Sequence, residues 1–164
     1  MMMCLFNPSA KGYHATIERL VTTLNIRDAV LWTGYLSNEE LSHHLACVDV
    51  AVFPFAEGVS LRRLSFMTAL GHGVPTVTTS GQAPVEELHL HDRENVALVS
   101  CSGSAQELAD RLLELMRSKA LMKRLSEEGR RWAESFRWET VVQKNLEIYD
   151  SVINHDAHLG RKDL

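Results

Sequence analysis

The chain has 164 residues, room for one core of ordinary size and not for two. Hydrophobic residues make up 45% and charged residues 23%, which excludes disorder for most of its length. Lys and Arg number 17 against 21 Asp and Glu, a formal net charge of −4, so no overall positive field draws nucleic acid or anionic lipid.

The elements follow in chain order from hydrophobic periodicity. Residues 1–6 are apolar and supply one strand at most; they lack the basic region and small-residue cleavage site of a signal peptide. A helix is predicted over 14–24, with Ile17, Leu20, Val21 and Leu24 on one face, then a strand over 29–33 ending at Gly34. Ser37 and Glu40 have capping-box spacing, and Leu41, Leu45 and Val48 mark the buried stripe of the helix they open. The strand 49–53 is apolar nearly throughout, as in a parallel sheet covered on both faces. A helix over 61–72 is closed by Gly73, and Pro75 opens a strand over 75–79.

Gly81 to Pro84 form a turn into a brief helix at 85–88, and 95–100 is the fifth strand. A second capping box, Ser104 and Glu107, starts a helix with Ala105, Leu108, Ala109, Leu112, Leu115 and Met116 inward. Helices over 119–134 and 138–153 complete the pattern, the last with Val141, Val142, Leu146 and Tyr149 inward, and residues 155–164 form a polar tail after a domain over 1–154. Short β-branched runs alternating with longer amphipathic ones predict an α/β architecture, a parallel sheet flanked by helices. An α/β domain ordinarily opens on a strand, so the early first helix and the triple-methionine start read as a domain lacking its first strand or strands.

No apolar run nears the ~20 residues that span a bilayer. Cys4, Cys47 and Cys101 contain no CxxC pair and predict neither a disulfide framework nor a thiolate zinc site; a cytoplasmic, reducing location follows. His43 and His44 diverge around a helix, and His89 and His91 lack a third ligand, so no metal site and no cofactor are predicted. The GxSxG, GxGxxG and GxxxxGK[ST] patterns are absent.

Ligands of open parallel sheets bind beyond the carboxyl ends of the strands. The loops placed there are 34–37, 55–60, 79–82 and 100–104. The second is the richest, because Glu57-Gly58-Val59-Ser60-Leu61-Arg62-Arg63 sets a carboxylate, a flexible glycine, a hydroxyl and two guanidinium groups at one helix start. Free backbone N–H groups there favour an anion, and Ser60 either caps the helix or donates to a phosphate oxygen. The same residues also fit a solvated first turn. His72 most simply ends a helix and is weak as a catalytic base.

At these residues the chain resembles the carboxyl-terminal half of GT-B fold glycosyltransferases, in particular the retaining group called family four. The resemblance rests on Trp32-Thr33-Gly34-Tyr35-Leu36-Ser37 with Glu39-Glu40-Leu41, on Val48-Asp49-Val50 and Pro54-Phe55, on residues 57–63, on 69–79 and on Phe136-Arg137-Trp138-Glu139. Each motif is weak; their order and spacing are specific.

The resemblance implies a Rossmann-like fold that binds a nucleotide sugar. It places Gly34, Tyr35 and Leu36 at the nucleobase, and Gly58, Val59, Ser60 and Leu61 along the diphosphate and sugar. It puts Glu57 at the donor sugar. Arg62 and Arg63 depart from the family pattern; they are expected to replace the phosphate-binding Arg and Lys that most members carry on earlier strands and so to complete the catalytic set. The second glutamate of the family's pair is missing: Ser65 or Thr68 stands in its place, depending on the direction of counting. The amino-terminal acceptor domain has no counterpart, so the chain is expected to be the donor-binding part of a transferase, inactive alone. Its partners would be a nucleotide sugar and either a separate acceptor-domain chain or a second copy joined through an open sheet edge. A degenerate domain that keeps the fold without transferase activity is the competing expectation.

Overall fold

The structure is a computed structural model and describes residues 2–4, 11–81 and 88–159. The chain divides into two compact units, Met1–His44 and Leu45–Leu164.

In the first unit, β1 (Met2–Cys4) pairs in parallel with β2 (Val30–Trp32), Met3 opposite Leu31. Between them runs α1 (Lys11–Thr23), which starts three residues before the predicted helix. Of its predicted inward face, Val21 is buried and Ile17 half-buried, whereas Leu20 and Leu24 are exposed. Asn25 stops the chain in the left-handed region at φ 52°. A 3-10 turn at Arg27–Ala29 follows, so Ala29 belongs to this turn and not to the strand. The capping box forms as predicted at the start of α2 (Asn38–Ala46), which crosses the boundary between the units. Ser37 N–H donates to Glu40 Oε2 at 2.8 Å, and Glu40 N–H donates to Ser37 Oγ at 3.2 Å.

The second unit holds a parallel three-stranded sheet in the order β3 (Ala51–Phe53), β4 (Thr76–Ser80), β5 (Ala97–Ser100). Its helices are α3 (Leu64–Gly71), α4 (Ala105–Arg117), α5 (Lys119–Glu134) and α6 (Trp138–Leu159). Successive strand residues point to opposite faces, and two apolar clusters result. Val96 and Leu98 join Phe66, Leu70 and Trp132, whereas Ala97 and Val99 join Val77, Leu115 and Leu125. Buried threonines in β4 are satisfied: Thr78 Oγ1 donates to Phe53 O at 2.9 Å and Thr79 Oγ1 to Phe55 O at 2.6 Å.

Four expectations are corrected here. The helix predicted over 61–72 begins at Leu64, because Arg63 N–H donates to Ser60 O (3.1 Å) and closes a separate turn first. Only half of the second capping box forms: Ser104 Oγ caps Glu107 N–H at 3.2 Å, but the Glu107 carboxylate accepts from Ser100 N–H instead. Met116 on α4, and Val142, Leu146 and Tyr149 on α6, are exposed and not buried as predicted. Finally, α6 continues past Asn154 to Leu159, so a polar sequence there does not end the helix. The brief helix predicted at 85–88 falls mostly outside the described residues; Leu88 itself sits in a turn.

Candidate functional site

The post-β3 loop is fixed in place by backbone. Phe55 N–H donates to Phe53 O (2.9 Å), Gly58 N–H to Phe55 O (3.1 Å), and Val59 N–H to Thr79 O at the end of β4 (2.9 Å). Gly58 has φ +83°, and a Cβ built on it would lie 2.0 Å from Gly81 Cα; one built on Gly81 would lie 2.4 Å from Glu57 O. Two glycines in two different loops therefore allow a backbone-to-backbone contact that no side chain would permit. Val59 then turns its side chain into the core, 3% exposed, beside Phe66 and Leu70. Its amide is already used, so of the predicted turn residues Ser60 and Leu61 are the ones whose N–H groups donate to no described residue.

The charged residues lie around this turn. Glu57 is 89% exposed, and Arg63 Nη2 stands 3.8 Å from Glu57 Oε2. The Arg63 guanidinium also lies over the Phe55 ring, with Cζ 4.6 Å from the centroid. Arg62 is exposed and forms no ion pair or ring contact with any described residue. Arg63 stands at the N-cap of α3, where no side chain caps the helix. Ser60 is thus not the helix cap, since it lies a turn too early; both arginines precede the helix rather than sitting on its first turn. Two amides that donate to no described residue, an uncapped helix start and an uncommitted guanidinium are together suited to a phosphate-bearing ligand.

Thr68 lies elsewhere on α3. Its Oγ1 donates to Leu64 O (2.8 Å), and it lines a groove of about 360 Å³ with Met67, His72, Glu134, Phe136 and Arg137. His72 follows the last helical residue, with Nδ1 2.9 Å from Thr68 O, and Gly73 at φ +72° ends the helix. In the first unit, Gly34 is at φ +65°, Tyr35 is 95% exposed and Leu36 is half-buried. After β5, Ser100 Oγ and Ser102 Oγ are 2.8 Å apart, and Cys101 N–H donates to Ser80 O. Among the described residues no three His, Cys, Asp or Glu side chains gather to hold a metal ion, and no helix is long and apolar enough to cross a membrane.

Sequence reading did not find the Gly58–Gly81 contact or the Phe55 platform under Arg63. Gly81 stands out in sequence only as a turn residue, and Phe55 and Arg63 lie in a loop, where no regular period relates one residue to another.

Comparison with known proteins places the chain in a family. The family described as glycosyl transferases group 1 matches residues 9–118. The MMP alpha-(1->4)-mannosyltransferase of Mycolicibacterium hassiacum is 34% identical over 138 residues, 83% of this chain and 32% of that protein. The GDP-mannose-dependent alpha-(1-6)-phosphatidylinositol monomannoside mannosyltransferase of Mycobacterium tuberculosis is 29% identical over 139 residues, 80% of this chain and 35% of that protein. Among solved structures, Anabaena Alr3699/HepE in complex with UDP aligns with TM-score 0.73 and 19% identity, covering 93% of this chain and 40% of that one. The chain spans about a third of the length of the curated relatives it matches.

Proposed function

From the premise that the chain belongs to the group 1 glycosyl transferases and has part of a GT-B fold, we propose that it is the donor-binding part of a retaining glycosyltransferase. The transferase would move a sugar from a nucleoside diphosphate to a glycan or lipid-linked acceptor. The observation that carries this reading is the post-β3 turn, where Glu57, the Ser60 and Leu61 amides and Arg62 surround the start of α3.

Each group has a chemical task there. The amides and the positive end of α3 accept the diphosphate, and Arg62 adds a bidentate fork that becomes more valuable as the leaving group gains charge. Glu57, exposed beside this turn, addresses the sugar hydroxyls. Gly34, Tyr35 and Leu36 form the loop proposed for the nucleobase. Two relatives are named mannosyltransferases, one of them GDP-mannose-dependent, and Alr3699/HepE is named in complex with UDP; GDP and UDP sugars are therefore the first donors to test.

Transfer also requires an acceptor held in near-attack geometry away from water. We assign that task to a separate acceptor-binding domain, so this chain by itself would bind donor and transfer little sugar. Calorimetric titration with GDP, UDP, ADP and their common sugar derivatives tests the reading. Binding of one nucleoside diphosphate, weakened about tenfold or 1.4 kcal/mol by Arg62→Ala, is the expected result. Absence of binding to any of them would favour a degenerate domain. Thr68 favours that second reading: it stands where one count puts the family's second carboxylate, and its hydroxyl is spent on Leu64 O.

A further inference from the structure

We infer that the two adjacent arginines have separate tasks: Arg63 is a positioning residue that holds the Glu57 carboxylate from a fixed aromatic platform, and Arg62 alone is left to meet a diphosphate. The inference rests on the donor-binding reading above and assigns different work to two side chains that the sequence presents as equivalent.

The platform is anchored in the core. Phe66 is fully buried; Phe53 meets it edge-on at 6.2 Å, and Phe55 stacks on Phe53 at 5.7 Å with the rings 12° apart. Phe55 also has its carbonyl oxygen tied twice, accepting from Gly58 N–H and from Thr79 Oγ1. The ring beneath Arg63 is therefore set by β3, β4 and the core as well as by the loop's own Gly58 bond. A guanidinium 4.6 Å over that ring is held by attraction to its π face. Arg63 Nη2 lies 3.8 Å from Glu57 Oε2, an ion-pair distance.

Glu57 has no other side-chain partner among the described residues, and it is attached where Gly58 and Gly81 fix the backbone. Arg63 thus limits the directions that an otherwise free carboxylate explores. A diphosphate arriving at Arg63 would compete with both the ring and the carboxylate, and it would leave Glu57 unheld. Arg62, with neither contact, offers its fork without that loss.

The test uses the full chain, labelled with nitrogen-15, and inorganic pyrophosphate as probe. The arginine Nε–Hε spectrum should show Arg63 displaced by the ring current of Phe55, a displacement lost in Phe55→Leu and kept in Phe55→Tyr. Pyrophosphate should move the Arg62 signal and leave that of Arg63 in place. Its affinity should fall about tenfold or more in Arg62→Ala and less than about threefold in Arg63→Ala. Three-bond couplings at the Glu57 β-carbon should report one preferred rotamer in the wild type, averaging in Arg63→Ala and in Phe55→Leu, and recovery in Phe55→Tyr.

Equal loss of pyrophosphate affinity in the two arginine variants would overturn the division of labour, as would a pyrophosphate titration that leaves Arg62 unmoved. Unchanged Glu57 couplings in Arg63→Ala would overturn the positioning role, and that variant removes no core contact that folding depends on. Pyrophosphate carries neither base nor sugar. A chain that shows the predicted arginine pattern but binds no nucleotide sugar would refute the donor reading and leave this assignment standing.

Discussion

Gly58 and Gly81 touch through their backbones, so that a Cβ on the first would lie 2.0 Å from the Cα of the second. This contact joins the loop after β3 to the end of β4, beside the Val59 N–H to Thr79 O bond. It explains why a glycine is needed at each place: Gly58 for its φ of +83° as well as for space, Gly81 for space.

Gly58→Ala combines a strained φ with a backbone clash and is expected to destabilise the fold by about 3 kcal/mol or to prevent folding, as an overpacked site with no flexible neighbour does. Gly81→Ala meets Glu57 O instead and should cost about 1–3 kcal/mol. Urea unfolding of the two variants checks the order; an Ala at position 58 that costs less than about 0.5 kcal/mol would show that the loops do not meet as described.

The sequence made the order of elements plain because each depends on local pattern. The Ser37–Glu40 box is the clearest instance, since both hydrogen bonds close within three residues. Helical periodicity alone puts the start of α3 three residues too early, because a turn at Ser60–Arg63 intervenes, next to the Val59 N–H bond to Thr79 O. The residues of the candidate loop were legible from Glu57 to Arg63 as a chemical set. Their differences were not, because Phe55 beneath Arg63 and Gly81 beneath Gly58 are tertiary facts. The stripe of α6 predicts a buried face that the structure does not show: Tyr149 is 62% exposed, and a pattern does not say what covers it.

The capping box at α2 also sets a pH dependence. The Glu40 carboxyl titrates below its ordinary value, first because Ser37 N–H donates to it, then because of the Ser37 hydroxyl, with His44 a smaller contribution. A depressed folded-state pKa gives stability that is present above the unfolded value and is lost as pH falls through the folded one. The expected result is that wild type and Glu40→Gln converge in stability in acid and separate, wild type higher, at neutral pH. Thermal melts across that range would contradict this if the gap stayed constant.

Trp132 ties α5 to the segment entering β5: its Nε1–H donates to Leu88 O at 2.8 Å, while its ring meets Phe66 edge-on at 5.9 Å. Trp132→Phe keeps an aromatic ring but leaves Leu88 O without this donor and vacates part of the indole volume. A loss of about 2 kcal/mol is expected, from the hydrogen bond and the cavity together. Hydrogen exchange should localise the effect to amides near Leu88 and Leu90 before the sheet itself responds.

Arg111 is the ion-pair residue placed to matter most for the fold. Its side chain is 16% exposed, and it donates to Leu98 O (2.9 Å), Asp92 Oδ2 (3.1 Å) and Glu114 Oε2 (3.0 Å), while Asp92 Oδ1 accepts from Leu98 N–H (2.8 Å). The same guanidinium therefore closes a ring that clamps the start of β5 to α4, unlike the exposed Lys123–Glu127 pair at 3.7 Å. Arg111→Ala should cost about 1–2 kcal/mol, because it removes a mostly buried guanidinium and leaves Leu98 O without this donor, while the half-exposed Asp92 and Glu114 keep other partners; Lys123→Ala should cost less than about 0.5 kcal/mol. A double-mutant cycle with Asp92→Ala should return a coupling of about 1 kcal/mol or more that persists in high salt. Full screening of that coupling by salt would mean that the clamp behaves as a surface pair and that β5 is held by its apolar contacts alone.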